Sequence, residues 1–456
     1  MQQPQLHKSK VMNTKHHLNH LKLALIVGSL ALPLITQAEQ PPTKEHPRYK
    51  LIDLGTFGGP SSQFYQYGKN VNNRGAVVGG ADTANPDPFA PNCAVPSCFV
   101  QHAFKWQNGV LSDLGTLPGG SSSFALWINN GGQTVGVSQN GLIDPLTGAP
   151  ASIAVLWESN GEIINLGTLG GNESLAVALN DRSQAVGGAA NTIPDSFSLG
   201  GFGTQSRAFL WENGVMRDLG TLGGPDSFAN YVNEGGQVAG ISYTDSTPND
   251  TTGIPTVHPF LWENGRMLDL GSLGGTFASV NDLNNRGQVV GPMYLPGDEF
   301  YHPYLWSNGT LTDLGTFGGS TGQPNGVNDA GEVVGVADFP GDVLHDAFLW
   351  KNGVMTDLGN LGKTSNAHSI NSKGQVVGAS KVSFETGEIR AFLWENGGPM
   401  VDLNNLVPAN SALDLVSADH ISDRGEIVGE GVPTGVPFGD IETRGHVFLL
   451  IPIGEE

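Results

Sequence analysis

Residues 209–224 are FLWENGVMRDLGTLGG. An aromatic run, an Asn-Gly pair and a second short run ending in Asp-Leu-Gly describe a β-hairpin. Asn213-Gly214 supplies the two positive-φ residues of a type I′ turn, so Glu212 pairs with Val215 and Phe209 falls opposite Asp218. Arg207 then lies diagonally from Asp218 on the same face, within reach of an ion pair. The stretch decides the fold because it recurs. Asp-Leu-Gly or a close relative begins at Asp53, Asp113, Asn165, Asp218, Asp269, Asp313, Asp357 and Asp402, at intervals of 60, 52, 53, 51, 44, 44 and 45 residues. That period matches a four-stranded propeller blade and is too long for a leucine-rich repeat.

Two other elements recur in phase. One is the aromatic strand beginning at Phe104, Val155, Phe209, Phe260, Tyr304, Phe348, Phe392 and Phe448. The other is the Asn-x-x-Gly hairpin VNNRGAVVG at 71–79, with relatives beginning at Ile128, Leu179, Val232, Leu283, Val327, Ile370 and Ile421. In the tidiest unit, strands are expected near 324–328, 332–336, 346–350 and 354–358. Helical periodicity is absent, and tight turns account for much of the glycine, 65 of 456 residues. The two ends complement each other. RYKLIDLG at 48–55 is a fourth strand without its first three, and the last unit stops at its third strand, HVFLLIP. The expectation is an all-β, eight-bladed β-propeller of four-stranded antiparallel blades over 48–455, closed by the N-terminal strand pairing with the last blade.

Before the repeats, LALIVGSLALPLI at 23–35 follows a basic stretch and ends in Thr-Gln-Ala, so 1–38 is expected to be a signal peptide, with Met12 as an alternative start, and 39–47 a linker. Nothing later has the length of a membrane span. The expected location is secreted or periplasmic. The formal charge is −21, and loss of 1–38 would remove four lysines and no carboxylate. Such a field disfavours nucleic acid and anionic membranes and suits cations, basic partners or solubility. Cys93 and Cys98 are expected to form a local disulfide; with His102 they offer three metal-type ligands but no fourth.

The QHAFKW of 101–106, followed by Asn-Gly, Asp-Leu-Gly-Thr-Leu and the Asn-x-x-Gly-x-Val-Val-Gly hairpin, resembles the extracellular HAF repeat family across residues 48–452. The resemblance implies export and repetition and no particular reaction. His-Ala-Phe itself stands only at 102–104; the other blades have Arg-Ala-Phe, His-Pro-Phe, His-Pro-Tyr, Asp-Ala-Phe or His-Val-Phe.

The recurrent aspartates are structural on this reading. The offset that joins Arg207 to Asp218 also joins His102 to Asp113, His258 to Asp269, His302 to Asp313 and, across the closure, His446 to Asp53. Blade 2 changes both members together, to Ile153 and Asn165. Blade 6 puts Asp346 near Asp357, with His345 as the expected compensation. The Trp of each Phe-Leu-Trp is expected in the core.

Function is sought where the repeat is broken. Variable segments between the second and third strands share one face with the blade-to-blade links, and carry Asp82, Asp87, Asp144, Asp195, Asp245, Asp298, Asp338 and Asp440 with interspersed aromatics. On the innermost strands, the two positions before the Asn-x-x-Gly hairpin are mostly small or Asn, but become Lys69, Trp127, Tyr231, Asp282, His368, Asp419 and His420 in single blades. Of these, Lys69, Tyr231, Asp282, His368, Asp419 and His420 are the candidate ligand-binding residues, and a polar network between blades is the structural alternative. Strict alternation would put Asp419 and His420 on opposite faces. No nucleophile elbow, zinc-protease helix, phosphate loop or calcium loop is present. The leading expectation is an exported binding scaffold whose loop face meets an extracellular glycan, cation or protein. No cofactor is expected, with calcium on the acidic loops as the one alternative. The alternative is a glycan-active lyase or hydrolase at the channel mouth, marked by polar groups of at least three blades converging within hydrogen-bonding reach in one pocket.

Overall fold

A computed structural model of the chain describes residues 46–454 except 66, 67, 91, 92, 94 and 396; the expected signal peptide and most of the linker lie outside these. The described chain forms eight four-stranded antiparallel sheets, seven of them built from four consecutive strands. The eighth takes its outer strand from the other end: Arg48–Asp53 pairs antiparallel with His446–Ile453, with Leu51 opposite Leu450 and Asp53 opposite Phe448. This is the expected eight-bladed propeller with its expected closure. In the tidiest unit, the strands are Gly322–Val327, Val333–Asp338, His345–Lys351 and Val354–Asp357. The only α-helix among the described residues is the single turn Ile441–Arg444, in the loop before the last strand. No helix among them is long and apolar enough to cross a membrane.

The hairpin register is the one the turn dictates. Asn213 (φ 52°) and Gly214 (φ 80°) both sit in the left-handed region, and Phe209 pairs with Asp218. In seven blades an aromatic of the third strand is the centre: Phe104, Phe209, Phe260, Tyr304, Phe348, Phe392 and Phe448 are fully buried, as is Val155 at the same place in blade 2. Burial of each contributes about 1.5–3 kcal/mol before ordering costs. The neighbouring tryptophans fill the space between sheets, and all but Trp350 are buried. Tyr49 of the closing strand joins the same packing with Leu403, Leu406 and Leu450, so closure is apolar as well as hydrogen-bonded.

Each recurrent motif holds one blade to itself or to the next. The Asp of Asp-Leu-Gly accepts the N–H of its own Gly, as between Asp218 and Gly220 (2.8 Å), and Asn165 keeps this bond to Gly167 (2.8 Å). Arg207 to Asp218 (3.1 Å), His102 to Asp113 (2.8 Å), His258 to Asp269 (3.0 Å), His302 to Asp313 (2.9 Å) and His446 to Asp53 (3.0 Å) form the expected pairs. Burial opposes ionisation of Asp113, but the hydrogen bond from His102 and the N–H of Gly115 hold its carboxyl below the usual range. The same hydrogen bond raises His102. Blade 6 differs from expectation. His345 approaches Asp338 (3.9 Å), and Asp346 is satisfied by Nδ2 of Asn360 (2.9 Å), a residue at the place of Thr316 one blade earlier.

The Asn-x-x-Gly hairpin has a second task that turn chemistry does not reveal. Asn284 Oδ1 accepts the N–H groups of Arg286 and Gln288, while its Nδ2 donates to Gln288 Oε1 (2.7 Å) and to the carbonyl of Asn328 in the next blade (2.9 Å). Asn72, Asn129, Asn180, Asn233, Asn328 and Asn371 make the same crossing, at 3.0–3.2 Å. All seven side chains are buried. The eighth position is Ser422, whose hydroxyl donates to Glu426 in its own turn (3.2 Å). That seam is held by the shared last sheet and by Val447 N–H on Ser62 Oγ (3.0 Å).

Candidate functional site at the hairpin end of the channel

The innermost strands do not alternate simply. In six blades the register slips by one residue, between Ala125 and Trp127, Ala176 and Ala178, Ala229 and Tyr231, Pro324 and Gly326, Ala367 and Ser369, and Ala418 and His420. The slip is a β-bulge, and the Gly of Val-Val-Gly or its equivalent makes room for it. A Cβ on Gly240 would stand 2.1 Å from the carbonyl oxygen of Phe228, and one on Gly429 would stand 2.0 Å from that of Ser417. In the last blade, whose innermost strand slips a second time at Val416, Asp419 is the residue bulged at this position. The expectation that Asp419 and His420 point to opposite faces is therefore corrected: both line the channel.

The channel opens at the hairpin end into a cavity of 380 Å³, lined by Lys69, Tyr231, Asp282, His368, Asp419 and His420 together. All six candidates thus share one space. It lies at the opposite end from the variable loops, because the tight Asn-x-x-Gly turns form its rim. Trp127 completes an apolar sector by meeting Tyr231 edge-to-face at 6.0 Å.

The polar sector is wired blade to blade. Asn281 Nδ2 donates to the carbonyl of Pro324 (2.9 Å), and Asn325 Nδ2 to that of Ala367 (2.8 Å). His368 Nδ1 lies 2.8 Å from Asp419 Oδ1, which also accepts from Ser417 Oγ (2.7 Å). Apart from the Ser417 bond, which stays within one strand, each bond joins neighbouring blades, and among the described residues these bonds do not bring three blades to one point. Rim carboxylates are tied in the same way: Asp181 accepts the N–H of Asn130 (2.7 Å), and Asp329 that of Asn285 (2.9 Å).

Burial sets the charge states. Asp282 accepts the N–H groups of Val327 (2.8 Å) and Leu283 (2.8 Å), yet burial, reinforced by Asp329, pushes its carboxyl up to about 6. Burial, with Lys69 adding repulsion, pushes His420 down to about 4, so it is a neutral imidazole at pH 7. Behind the cavity wall, burial and then Asp419 raise Glu430 to about 8, where it stays protonated at neutral pH while accepting the N–H of Phe64 (3.2 Å). Sequence reasoning passed over Glu430, although a signal existed: it is the only charged residue directly after the Gly of any second strand.

The loop end is more self-satisfied than its composition suggests. Asp82 accepts from the Ser61 hydroxyl (2.8 Å), Asp298 from the Thr276 hydroxyl (2.8 Å), and Asp338 from that of Thr321. Asp87, Asp195 and Asp245 accept N–H groups within their own turns, and Asp440 faces Arg444. Phe339 stacks on Phe317 at 4.9 Å, and Arg390 covers Phe438 at 5.2 Å. Cys93 and Cys98 form the expected disulfide. Among the described residues, no group of three or more His, Cys, Asp or Glu is arranged to hold a metal ion.

No family model matches the chain, and no curated protein does. Solved structures with a similar fold include the β-propeller domain of the Trilobed protease from Pyrococcus furiosus, at 7% identity over 78% of this chain and 95% of that one, with a TM-score of 0.41. Dipeptidyl peptidase 4 of Porphyromonas gingivalis matches at 9% identity over 76% of this chain and 56% of that one (TM-score 0.46). A puromycin-hydrolyzing peptidase of Mycobacterium tuberculosis matches at 13% over 83% and 61% (TM-score 0.41). The chain thus spans little more than half the length of these two peptidases, and likeness at this level bears on neither activity nor ligand.

Proposed function

We propose that this chain is an exported binding scaffold, secreted or periplasmic, that holds a small polar ligand, a glycan or a cation, in the hairpin end of its channel, while its loop face meets partners. One observation carries the reading. The side chains that depart from the repeat on the innermost strands gather around one 380 Å³ cavity, where a Trp127–Tyr231 wall faces carboxylate and imidazole groups. Aromatic faces and hydrogen-bonding groups in one concave site are what sugar or cation recognition requires. The enzymatic alternative asks for polar groups of three blades within hydrogen-bonding reach of one another; His368 and Asp419 meet at 2.8 Å but join only two blades, and the other partner of Asp419 is Ser417 of its own strand (2.7 Å). Export rests on the leader-like 1–38 and on the Cys93–Cys98 disulfide. The test is a glycan array probed with the mature chain, with and without calcium, alongside Trp127→Ala and Asp282→Asn. Binding that both substitutions abolish supports the site; binding that neither affects places the ligand elsewhere.

A further inference from the structure

Among the eight loop aspartates, Asp144 stands apart. It is 1% exposed, and its Oδ1 accepts the N–H of Leu146 (2.9 Å) and Nδ2 of Asn172 (3.1 Å), but its Oδ2 is buried without a hydrogen-bond partner. It lines a 190 Å³ cleft on the loop face between blades 2 and 3, together with Glu173 and Thr204, whose Oγ1 is also buried and unpartnered. Burial, and then the charge of Asp144, raise Glu173 above the usual carboxylate range. Neither carboxylate is joined to a cationic side chain in any ion pair of the described residues. Glu173 accepts a backbone N–H from Ser152, and the two acids otherwise share the cleft without a cationic partner.

We propose that this cleft binds a primary alkylammonium group, from a lysine of a basic partner or a free amine. An ammonium carries three N–H donors, and the cleft presents three acceptors: Asp144 Oδ2, the Glu173 carboxylate and Thr204 Oγ1. Calcium is a poorer match, since it takes six to eight oxygens and only two carboxylates are present. The remaining walls, Pro145, Leu146, Ala190 and Phe202, suit the methylene stem of such a side chain. Leu142, Ile143 and Ile193, all more than half exposed, lie at the outer ends of the second strands of blades 2 and 3 and extend the apolar surface a partner would cover. The acidic balance of the chain, −21, favours a basic partner and its rapid encounter.

The experiment is calorimetric titration of the mature chain with n-butylammonium, with a lysine-containing peptide, and with that peptide acetylated on its lysine. Binding of either unmodified probe, lost on acetylation and weakened roughly tenfold or more in Asp144→Asn and in Glu173→Gln, supports the proposal. A preference for the peptide assigns the source to protein lysine, and equal affinity assigns it to small amines. Melting without ligand separates binding from structure: Asp144→Asn, which removes like-charge repulsion, keeps or raises the melting temperature. Trp127→Ala, in the distant channel, leaves butylammonium binding unchanged, so this site stands or falls separately from the channel ligand. No binding of either probe, binding indifferent to both substitutions, or calcium that stabilises the chain and excludes butylammonium would overturn the proposal.

Discussion

The two ends of the channel are built from the same eight blades and look nothing alike. At the hairpin end, seven buried asparagines each cross to the next blade in the same way, and the turns vary by little more than a side chain. At the loop end, every blade has its own insertion, and the acidic side chains there find several kinds of partner: a Ser or Thr hydroxyl for Asp82 and Asp298, Asn172 for Asp144, Arg444 for Asp440. What repeats holds the ring together. What does not repeat is released from that duty, and the channel candidates and the Asp144 cleft belong to this second class.

The contrast is most exposed to failure at its seam. Removing residues 46–53 leaves the last sheet with three strands and an open edge at the one junction where Ser422 replaces the crossing asparagine. Loss of a single cooperative unfolding transition is expected, read by calorimetry; an unchanged melt would show that the ring does not depend on its closure. Next in size is Asn284→Ala, which strips a buried position of four hydrogen bonds and leaves the Asn328 carbonyl without its cross-blade donor. A loss of about 2–3 kcal/mol is expected by urea denaturation, with channel binding retained. Asp218→Ala removes a half-exposed ion pair and one turn hydrogen bond, so the expected loss is only about 1 kcal/mol. Ligand binding that vanished in this variant at unchanged stability would make the recurrent aspartates functional after all.

Glu430 gives a pH test. Its carboxyl is raised from the usual 4.5 to about 8, so the folded state prefers it protonated. That stabilisation is complete below about pH 4.5 and is lost as pH climbs to 8. Asp282, raised to about 6, and Asp226, raised to about 7 by burial, act in the same direction. The melting temperature should therefore fall between pH 5 and pH 8, and fall less steeply in Glu430→Gln. Parallel curves for the two proteins would mean that Glu430 is solvated.

Much of this architecture was legible because turns fix register. Asn213-Gly214 alone determines that Phe209 faces Asp218, and from that pairing the His–Asp and Arg–Asp partners follow. The closure was legible because 48–55 and 446–452 are each incomplete. The bulges were not, since they depend on a backbone carbonyl entering the space a glycine leaves free, and glycine in a strand has other uses. Hence the channel residues could be named, but not the fact that Asp419 and His420 share a cavity. The asparagine crossing was hidden for a related reason: its local turn bonds explain the residue so well that nothing in the sequence asks for a partner about fifty positions away. Asn360 shows the remaining limit: the main compensation comes from a residue in the next link, and the adjacent His345 adds only its charge.

The central claim is that departures from the repeat on the innermost strands are not needed to hold the ring. Replacing His368 and Asp419 together by Asn, the residue at the equivalent positions Asn230, Asn281 and Asn325, tests it by one thermal melt beside Asn284→Ala. The account predicts a melting temperature at or above that of the parent for the double variant, and a clear drop for Asn284→Ala. A double variant destabilised as much as Asn284→Ala would contradict it, making the His368–Asp419 pair part of the frame.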